Sequence, residues 1–313
     1  MLSPAEVGYD LTLYAQVWLE ERMRLMRALA KAVAEKPRPR AVHDVRVACR
    51  RLREAIEFFR GVPEVPPLSD IDRAARALAR SVRRLRELEV ARKRLSRLKL
   101  PSSAAAGART QESLRRVLKK RLRRAQEKDL PRIGKRAGEL ETAIGDRLPL
   151  YAKPRAIEPD RARESHLMAF VEARVAEKRA LMEALFDGLR AEGRTRGRVG
   201  RAAGVRADRL HAVRVAVKHW RYASEIARAV MPRVLYRPLV TRLRLLQEIG
   251  GKGQDFVDLE RIAGEELDRM EVSSRARRSL MSSIRASRRA AAGDFLTALG
   301  SRLPAVQAVS AGG

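Results

Sequence analysis

Apolar residues recur every three or four positions over most of the chain, which is the spacing of one face of an α-helix. The stretch from 41 to 60, AVHDVRVACRRLREAIEFFR, shows the pattern most clearly. Its apolar face comprises Val42, Val45, Cys49, Leu52, Ile56 and Phe59. No stretch alternates apolar and polar residues for long enough to predict a strand, so the pattern indicates an all-α protein.

Proline and glycine clusters divide this pattern into eight predicted helices. They span residues 3–35, 41–60, 68–99 and 109–144 in the first half, and 160–191, 210–228, 234–267 and 273–300 in the second. Ser3 and Glu6 form a predicted capping box at the start of the first helix. Residues 101–108, PSSAAAGA, are predicted to be a flexible break.

A segment with three prolines, residues 145–159, is the predicted boundary between two domains. The predicted domains are a four-helix bundle over 1–150 and a second over 159–303, and a disordered tail is predicted over 304–313. Residues 192–204 form a glycine and arginine loop, interpreted as a solvated connection with a basic flap as the alternative. Three glycines predict a kink or break in the helix over 234–267: Gly250, Gly251 and Gly253.

Basic residues occupy a second face of the 41–60 helix, because His43, Arg46, Arg50 and Arg53 fall within one arc at helical spacing. In a single helix, such a face is usually solvated surface. The same pattern recurs exactly 168 residues later as His211, Arg214, Lys218 and Arg221. A repeat that keeps both the apolar and the cationic face predicts two helical units that share one ligand.

The charge of the whole chain favours a polyanion as that ligand. The formal net charge is +30, and the excess is mostly arginine, whose planar guanidinium donates two parallel hydrogen bonds to phosphate oxygens. Nucleic acid, polyphosphate and an anionic membrane are the candidate partners. Aromatic residues make up only 4% of the chain, and no helix-turn-helix or zinc-finger pattern appears, so nucleic acid is the secondary alternative.

Catalysis is not predicted, because the sequence has neither a metal-binding carboxylate cluster nor a positioned nucleophile. No metal and no cofactor are expected. The single cysteine, Cys49, lies on the apolar face and is interpreted as a core residue. Without an apolar run of eighteen residues or a signal-like start, the expectation is a soluble cytoplasmic protein that does not contact a membrane. The oligomeric state is left open.

Two motifs resemble the signatures of the CHAD family, the conserved histidine α-helical domain. The first, H-x-x-R-V-x-x-R-R-x-R, runs from His43 to Arg53. The second runs from His211 to Tyr222 and departs from the family pattern at His219, where the family has arginine. Residues 83–95 resemble the family's R-D-x-D-V segment, with Glu87 and Glu89 replacing aspartates. Residues 246–262 resemble its L-Q-x-x-L-G-x-x-x-D segment.

The resemblance implies two four-helix bundles related by a pseudo-twofold repeat, with a basic groove or pore between them. It also implies non-catalytic binding of inorganic polyphosphate and association with polyphosphate granules. The predicted polyphosphate-binding residues are His43, Arg46, Arg50, Arg51, Arg53, His211, Arg214, Lys218 and Arg221, and the 168-residue offset adds Arg76, Arg84, Arg244 and Lys252. For these last four, exposed solvated surface is the alternative interpretation.

Two further hypotheses concern titratable groups. His43 and His211, each beside three cations, are expected to donate to phosphate oxygens in their protonated form, so binding should tighten as pH falls through the histidine range. Glu87 and Asp255 are equivalent under the same offset. They are predicted to pair with the signature arginine or histidine side chains and hold them extended.

Overall fold

A computed structural model describes residues 10–100, 105–151, 161–195 and 207–301. The described residues of the first half form α1 (Leu11–Glu35), α2 (Pro39–Phe58), α3 (Ser69–Ser81), α4 (Arg83–Arg97), α5 (Ala105–Arg147) and a 3₁₀ segment, Leu148–Tyr151. Those of the second half form α6 (Arg161–Thr195), α7 (Ala207–Ile226), a 3₁₀ segment, Ala227–Ala229, α8 (Arg233–Leu267) and α9 (Ser274–Gly300). The all-α prediction is confirmed.

Local sequence signals explain several of the helix ends. Asp10 caps α1 by accepting a hydrogen bond from the Leu13 backbone nitrogen at 2.9 Å. Pro39 stands in the first turn of α2, where a missing N–H costs nothing. Gly61 follows α2 with a φ of +83°, a left-handed conformation that glycine adopts without strain. The predicted capping box at Ser3 and Glu6 and the predicted tail over 304–313 lie outside the described residues.

The predicted helix over 68–99 is wrong as a single helix, because the chain forms α3 and α4 with a break at Val82. The Ser81 hydroxyl donates to the Leu78 carbonyl oxygen at 2.7 Å, a local bond that competes with regular helix geometry. The apolar stripe hides this break, since Leu78, Val82 and Leu85 are all buried at helical spacing on both sides of it.

Four other predictions about where helices begin, end or break also need correction. The flexible break over 101–108 is wrong for its last four residues, because α5 begins at Ala105. The boundary segment starts later than predicted, since α5 continues to Arg147 and passes directly into the 3₁₀ segment. A break at the glycines of α8 is also wrong, since α8 is continuous from Arg233 to Leu267. Of the predicted 192–204 loop, residues 192–195 belong to α6 and the rest lie outside the described residues.

Helix packing brings the two halves of the chain together. Within the halves, α1 packs on α2 and α5, and α7 packs on α6 and α8. Between them, α2 contacts α7, α4 contacts α8, and α5 contacts α9. Buried apolar side chains of both halves form one contiguous core, which includes Leu52 of α2 and Trp220 of α7. Cys49 is part of this core, and its burial raises the pKa of its thiol to about 12.

Candidate functional site

The contact between α2 and α7 brings two cationic faces together. Both helices have 20 residues, and the bounds of α7 follow those of α2 at the same 168-residue offset that relates their sequences. Four side chains come closest to one another: Arg46 and Arg50 of α2, and Arg214 and Lys218 of α7. They are called the central cluster below.

Within the described part of the chain, no member of the central cluster forms an ion pair. Their side chains are half-buried, and the Nε atoms of Arg50 and Arg214 are buried without a hydrogen-bond partner among the described residues. Charged groups in such positions normally have hydrogen-bond or ion-pair partners, because burying an unpaired charge costs on the order of several kcal/mol of folding free energy. The central cluster is therefore an accumulation of positive charge that nearby carboxylates such as Glu54 and Asp255 offset only partly, from beyond ion-pair distance.

The pKa values of the cluster members reflect this crowding. Burial, together with the charges of Arg50 and Arg214, lowers the pKa of Lys218 from its ordinary 10.5 to about 8, although Glu54 opposes the change. Burial also lowers the pKa of Arg46 to about 10, with Arg50, Arg86 and Arg214 adding to the effect. At neutral pH both side chains remain charged, but each holds its proton less strongly than an isolated side chain would.

Other predicted binding residues are held by carboxylates in two matching arrangements. In the first half, Asp72 accepts from Arg53 at 2.8 Å and from Arg76 at 2.9 Å. In the second half, Glu225 accepts from Arg221 at 2.5 Å and from Arg244 at 3.2 Å, and Arg51 reaches the same carboxylate at 3.9 Å. Each of these arginines is extended by its carboxylate, and its positive charge is partly neutralised.

Two predicted contacts on the fourth and eighth helices lie at the surface. Lys252 pairs with Glu248 of its own helix at 3.5 Å. Arg84 is exposed and forms no ion pair with any residue that the structure describes. Their role in binding stays a prediction.

The two signature histidines, His43 and His211, occupy different environments. His43 lines a pocket with Arg46, Arg86 and Gln126, and its pKa is lowered by burial first and by Arg86 next. His211 is exposed, and its Nδ1 lies 2.7 Å from the side-chain oxygen of Gln254 on α8. His43 is also exposed, so both side chains can contact a ligand.

The predicted partners of Glu87 and Asp255 are wrong. Glu87 of α4 accepts from Arg83 at 2.6 Å and from Arg261 of α8 at 2.9 Å. Asp255 of α8 accepts from Arg94 of α4 at 2.7 Å. These carboxylates thus join α4 to α8 reciprocally instead of holding the signature side chains, because the two helices pack against each other. Asp255 still acts on Arg214 through space by opposing the decrease in its pKa.

Sequence analysis missed three residues that shape the site. Arg86 adds a cation to the His43 pocket, Glu54 lies beside Lys218, and Gln254 contacts His211. Only Arg86 had a local signal, since it directly follows Leu85 of the predicted apolar stripe and so lies at the edge of the buried face. Contacts to Glu54 and Gln254 depend on packing between helices that are distant in sequence.

Comparison with known proteins agrees with the signature helices. The family model described as CHAD domain matches residues 18–263, which include all of α2 and α7. The chain belongs to the CHAD domain family. A search of curated proteins gives no match.

A solved CHAD structure shares the fold of this CHAD chain. The crystal structure of the CHAD domain from the plant Ricinus communis superposes with a TM-score of 0.58 and 19% sequence identity, covering 96% of this chain and 96% of that one. At this identity the likeness shows the fold alone. In addition, none of the described helices of this CHAD domain is long and apolar enough to cross a lipid bilayer.

Proposed function

We propose that this CHAD domain binds inorganic polyphosphate, without cleaving it, along the cationic surface between α2 and α7. The observation that carries the proposal is the central cluster, where Arg46, Arg50, Arg214 and Lys218 converge without a direct ion pair in the described part of the chain. Polyphosphate is a flexible chain with a negative charge on every repeating unit. It can follow an elongated cationic surface and release counterions as it binds.

The family membership supports the same ligand, because the CHAD signatures coincide with the two helices that carry the cluster. Three of the four cluster cations are guanidinium groups, which can make bidentate contacts with phosphate oxygens. Arg53, which is half-buried, would form a wall of the groove and contact the ligand with the donors that Asp72 leaves free. Arg221 is buried and donates to Gln247 and Glu225, so it would support the surface from behind instead of contacting the ligand.

Calorimetry with long-chain polyphosphate at two salt concentrations tests this proposal. In the test variant, the four cluster residues are changed to glutamine, and in the matched control four exposed cations of other elements are changed in the same way: Arg161, Arg228, Arg233 and Arg237. We expect the test variant to lose at least about 100-fold in affinity, since each charged hydrogen bond contributes on the order of 1.5–3 kcal/mol. The control should lose little, and both should keep their helical circular dichroism.

Three outcomes would contradict the proposal in whole or in part. If both variants lose affinity equally, net charge alone governs binding and the cluster has no special role. If duplex DNA displaces polyphosphate at equal concentration, nucleic acid becomes the better candidate ligand. Release of inorganic phosphate in the presence of magnesium would contradict the non-catalytic part of the proposal. Association with polyphosphate granules would follow from tight binding of long chains and is tested by co-sedimentation.

A further inference from the structure

A second accumulation of unbalanced positive charge lies on α5, outside both signature helices. Six exposed cations follow one another along this helix: Lys119, Lys120, Arg123, Arg124, Lys128 and Arg132. They are called the α5 ridge below. At a rise of 1.5 Å per residue, the ridge is about 20 Å long. Its length therefore suits an extended ligand better than a single small anion.

The α5 ridge has almost no acidic partners. Between Lys119 and Arg132 the sequence has only two carboxylates, and one of them, Asp129, is buried. The other, Glu127, reaches Arg123 at 3.6 Å, and both side chains are largely exposed to solvent. The remaining five ridge cations form no ion pair with any residue that the structure describes. Elsewhere on the described surface, paired cations such as Arg27, which donates to Glu141 at 2.7 Å, alternate with unpaired ones, whereas on the ridge the unpaired cations follow one another with only Arg123 paired among them.

The pocket around His43 links the ridge to the central cluster. Gln126 of α5 lines this pocket together with His43 and Arg46 of α2. Arg46 is also a member of the central cluster, and Arg123 lies one helical turn before Gln126, close enough for neighbouring side chains to share a ligand. Glu89 is the carboxylate of the pocket, and Arg86 partly balances it at 3.8 Å.

We propose that long polyphosphate chains continue from the central cluster across the rim of the His43 pocket onto the α5 ridge, which therefore acts as a second, length-selective part of the binding surface. This inference rests on the proposed function. Short chains occupy the central cluster alone, whereas long chains engage both surfaces. The second contact then raises affinity as in any bivalent interaction, because the bound chain presents its remainder at high local concentration.

Other polyanionic surfaces fit the ridge less well. A lipid bilayer would need apolar side chains to insert, and among the described residues of α5 none is a large exposed apolar residue. Duplex DNA has a persistence length of about 500 Å, and bending it sharply from the exposed ridge toward the α2–α7 surface would cost several kcal/mol. A flexible single chain of phosphates can follow this path.

Affinities of tripolyphosphate and long-chain polyphosphate, measured by calorimetry over a range of salt concentrations, test the proposal. In the test variant, Lys119, Lys120, Arg123 and Arg124 are changed to glutamine, which preserves helix propensity. We expect long-chain affinity to fall about 10-fold and its salt dependence to decrease by up to about 3 in the log–log slope, while tripolyphosphate affinity stays unchanged. The matched control is the glutamine variant of Arg161, Arg228, Arg233 and Arg237, which should keep both affinities.

Each other outcome overturns the proposal in a distinguishable way. Unchanged long-chain affinity would mean that the ridge is solvated surface, while the proposed function still holds. Equal losses for both ligands, or an equal loss in the control, would mean that only net charge matters. If duplex DNA binding falls and polyphosphate binding does not, the ridge is a nucleic-acid surface. If the wild type binds neither polyphosphate, the proposed function fails and the length selectivity fails with it.

Discussion

Nδ1 of His219 on α7 lies 2.5 Å from Oε2 of Glu54 on α2, so this pair directly joins the two helices that carry the cationic faces. Both side chains are half-buried. His219 stands where the family signature has arginine, and it serves here as a contact between helices. The same Glu54 also acts on Lys218, which links this contact to the central cluster.

Replacement of His219 by alanine should destabilise the fold, because the carboxylate of Glu54 loses its nearest hydrogen-bond donor. We expect a loss of about 1–2 kcal/mol in the free energy of unfolding, measured by urea denaturation. His219→Arg is the matched control, since it offers a donor in the form of the family signature and should retain most of the stability. If the urea midpoint of His219→Ala equalled that of the wild type, the contact between His219 and Glu54 would contribute nothing to stability.

The lowered pKa of Lys218 predicts opposite effects of pH on binding and on stability. Below about pH 8 the side chain is charged, so polyphosphate affinity is greatest there and falls as pH rises through this value. The unfolded chain, in which the lysine pKa is near 10.5, binds the proton more tightly than the folded chain does. The contribution of Lys218 to the free energy of unfolding of the free protein therefore increases between about pH 8 and 10.5.

Comparison with two variants isolates this effect. Lys218→Arg stays charged, so its polyphosphate affinity should remain constant across the range in which the wild-type affinity falls. Lys218→Met should bind more weakly at neutral pH and lack the increase in stability at alkaline pH. If the polyphosphate affinities of the wild type and Lys218→Arg fell in parallel as pH rises, the pH dependence would not come from Lys218. Calorimetry in buffers of different ionisation enthalpy would also detect the uptake of a proton on binding near pH 8.

The lowered pKa of His43 shifts the expected histidine effect toward acid. Burial and the charge of Arg86 oppose protonation, so in the free protein His43 gains its charge below its ordinary pKa of 6.5. We expect tripolyphosphate affinity to rise mainly below this value, and the rise should be smaller in His43→Asn. Affinity that is flat from about pH 5.5 to 8 would contradict the histidine hypothesis.

Gly250 of α8 is predicted to be intolerant of a side chain. A Cβ atom there would lie 2.9 Å from the buried ring of Phe295 and 3.1 Å from Cγ of Arg214. Gly250→Ala should therefore cost about 1–3 kcal/mol of stability and displace Arg214, which weakens polyphosphate binding. Gly251 is the matched control, because a Cβ atom there meets no atom within 4 Å.

The control variant, Gly251→Ala, should change the stability in the opposite direction. Gly251→Ala should stabilise the protein by about 0.5–1 kcal/mol, since alanine favours a helix interior more than glycine does. Thermal unfolding of both variants, followed by calorimetry with polyphosphate, measures the two effects. Equal stability changes for the two variants would show that Phe295 and Arg214 move aside freely.

Much of the helical architecture could be predicted because the information is local. The apolar stripe that predicted the core of α2 is confirmed, since Val45, Cys49 and Leu52 are fully buried. The positions at which a helix breaks or continues were harder to predict. The interruption at Val82 lies within an unbroken apolar stripe, beside the Ser81 hydroxyl that donates to the Leu78 carbonyl, and α8 stays continuous through its three glycines.

Sequence alone determined that α2 and α7 are helices with matching cationic faces, because a period of 3.6 residues places the side chains on one face whatever surrounds the helix. Only the tertiary structure decided which of these cations keep an unpaired charge. Arg53 and Arg221 are equivalent in sequence, yet the carboxylate that holds Arg53 comes from α3 and the one that holds Arg221 from α7. Arg46, Arg50, Arg214 and Lys218 meet where no described carboxylate comes within ion-pair distance of them, since ion pairing depends on distances of a few ångströms between helices that are remote in sequence.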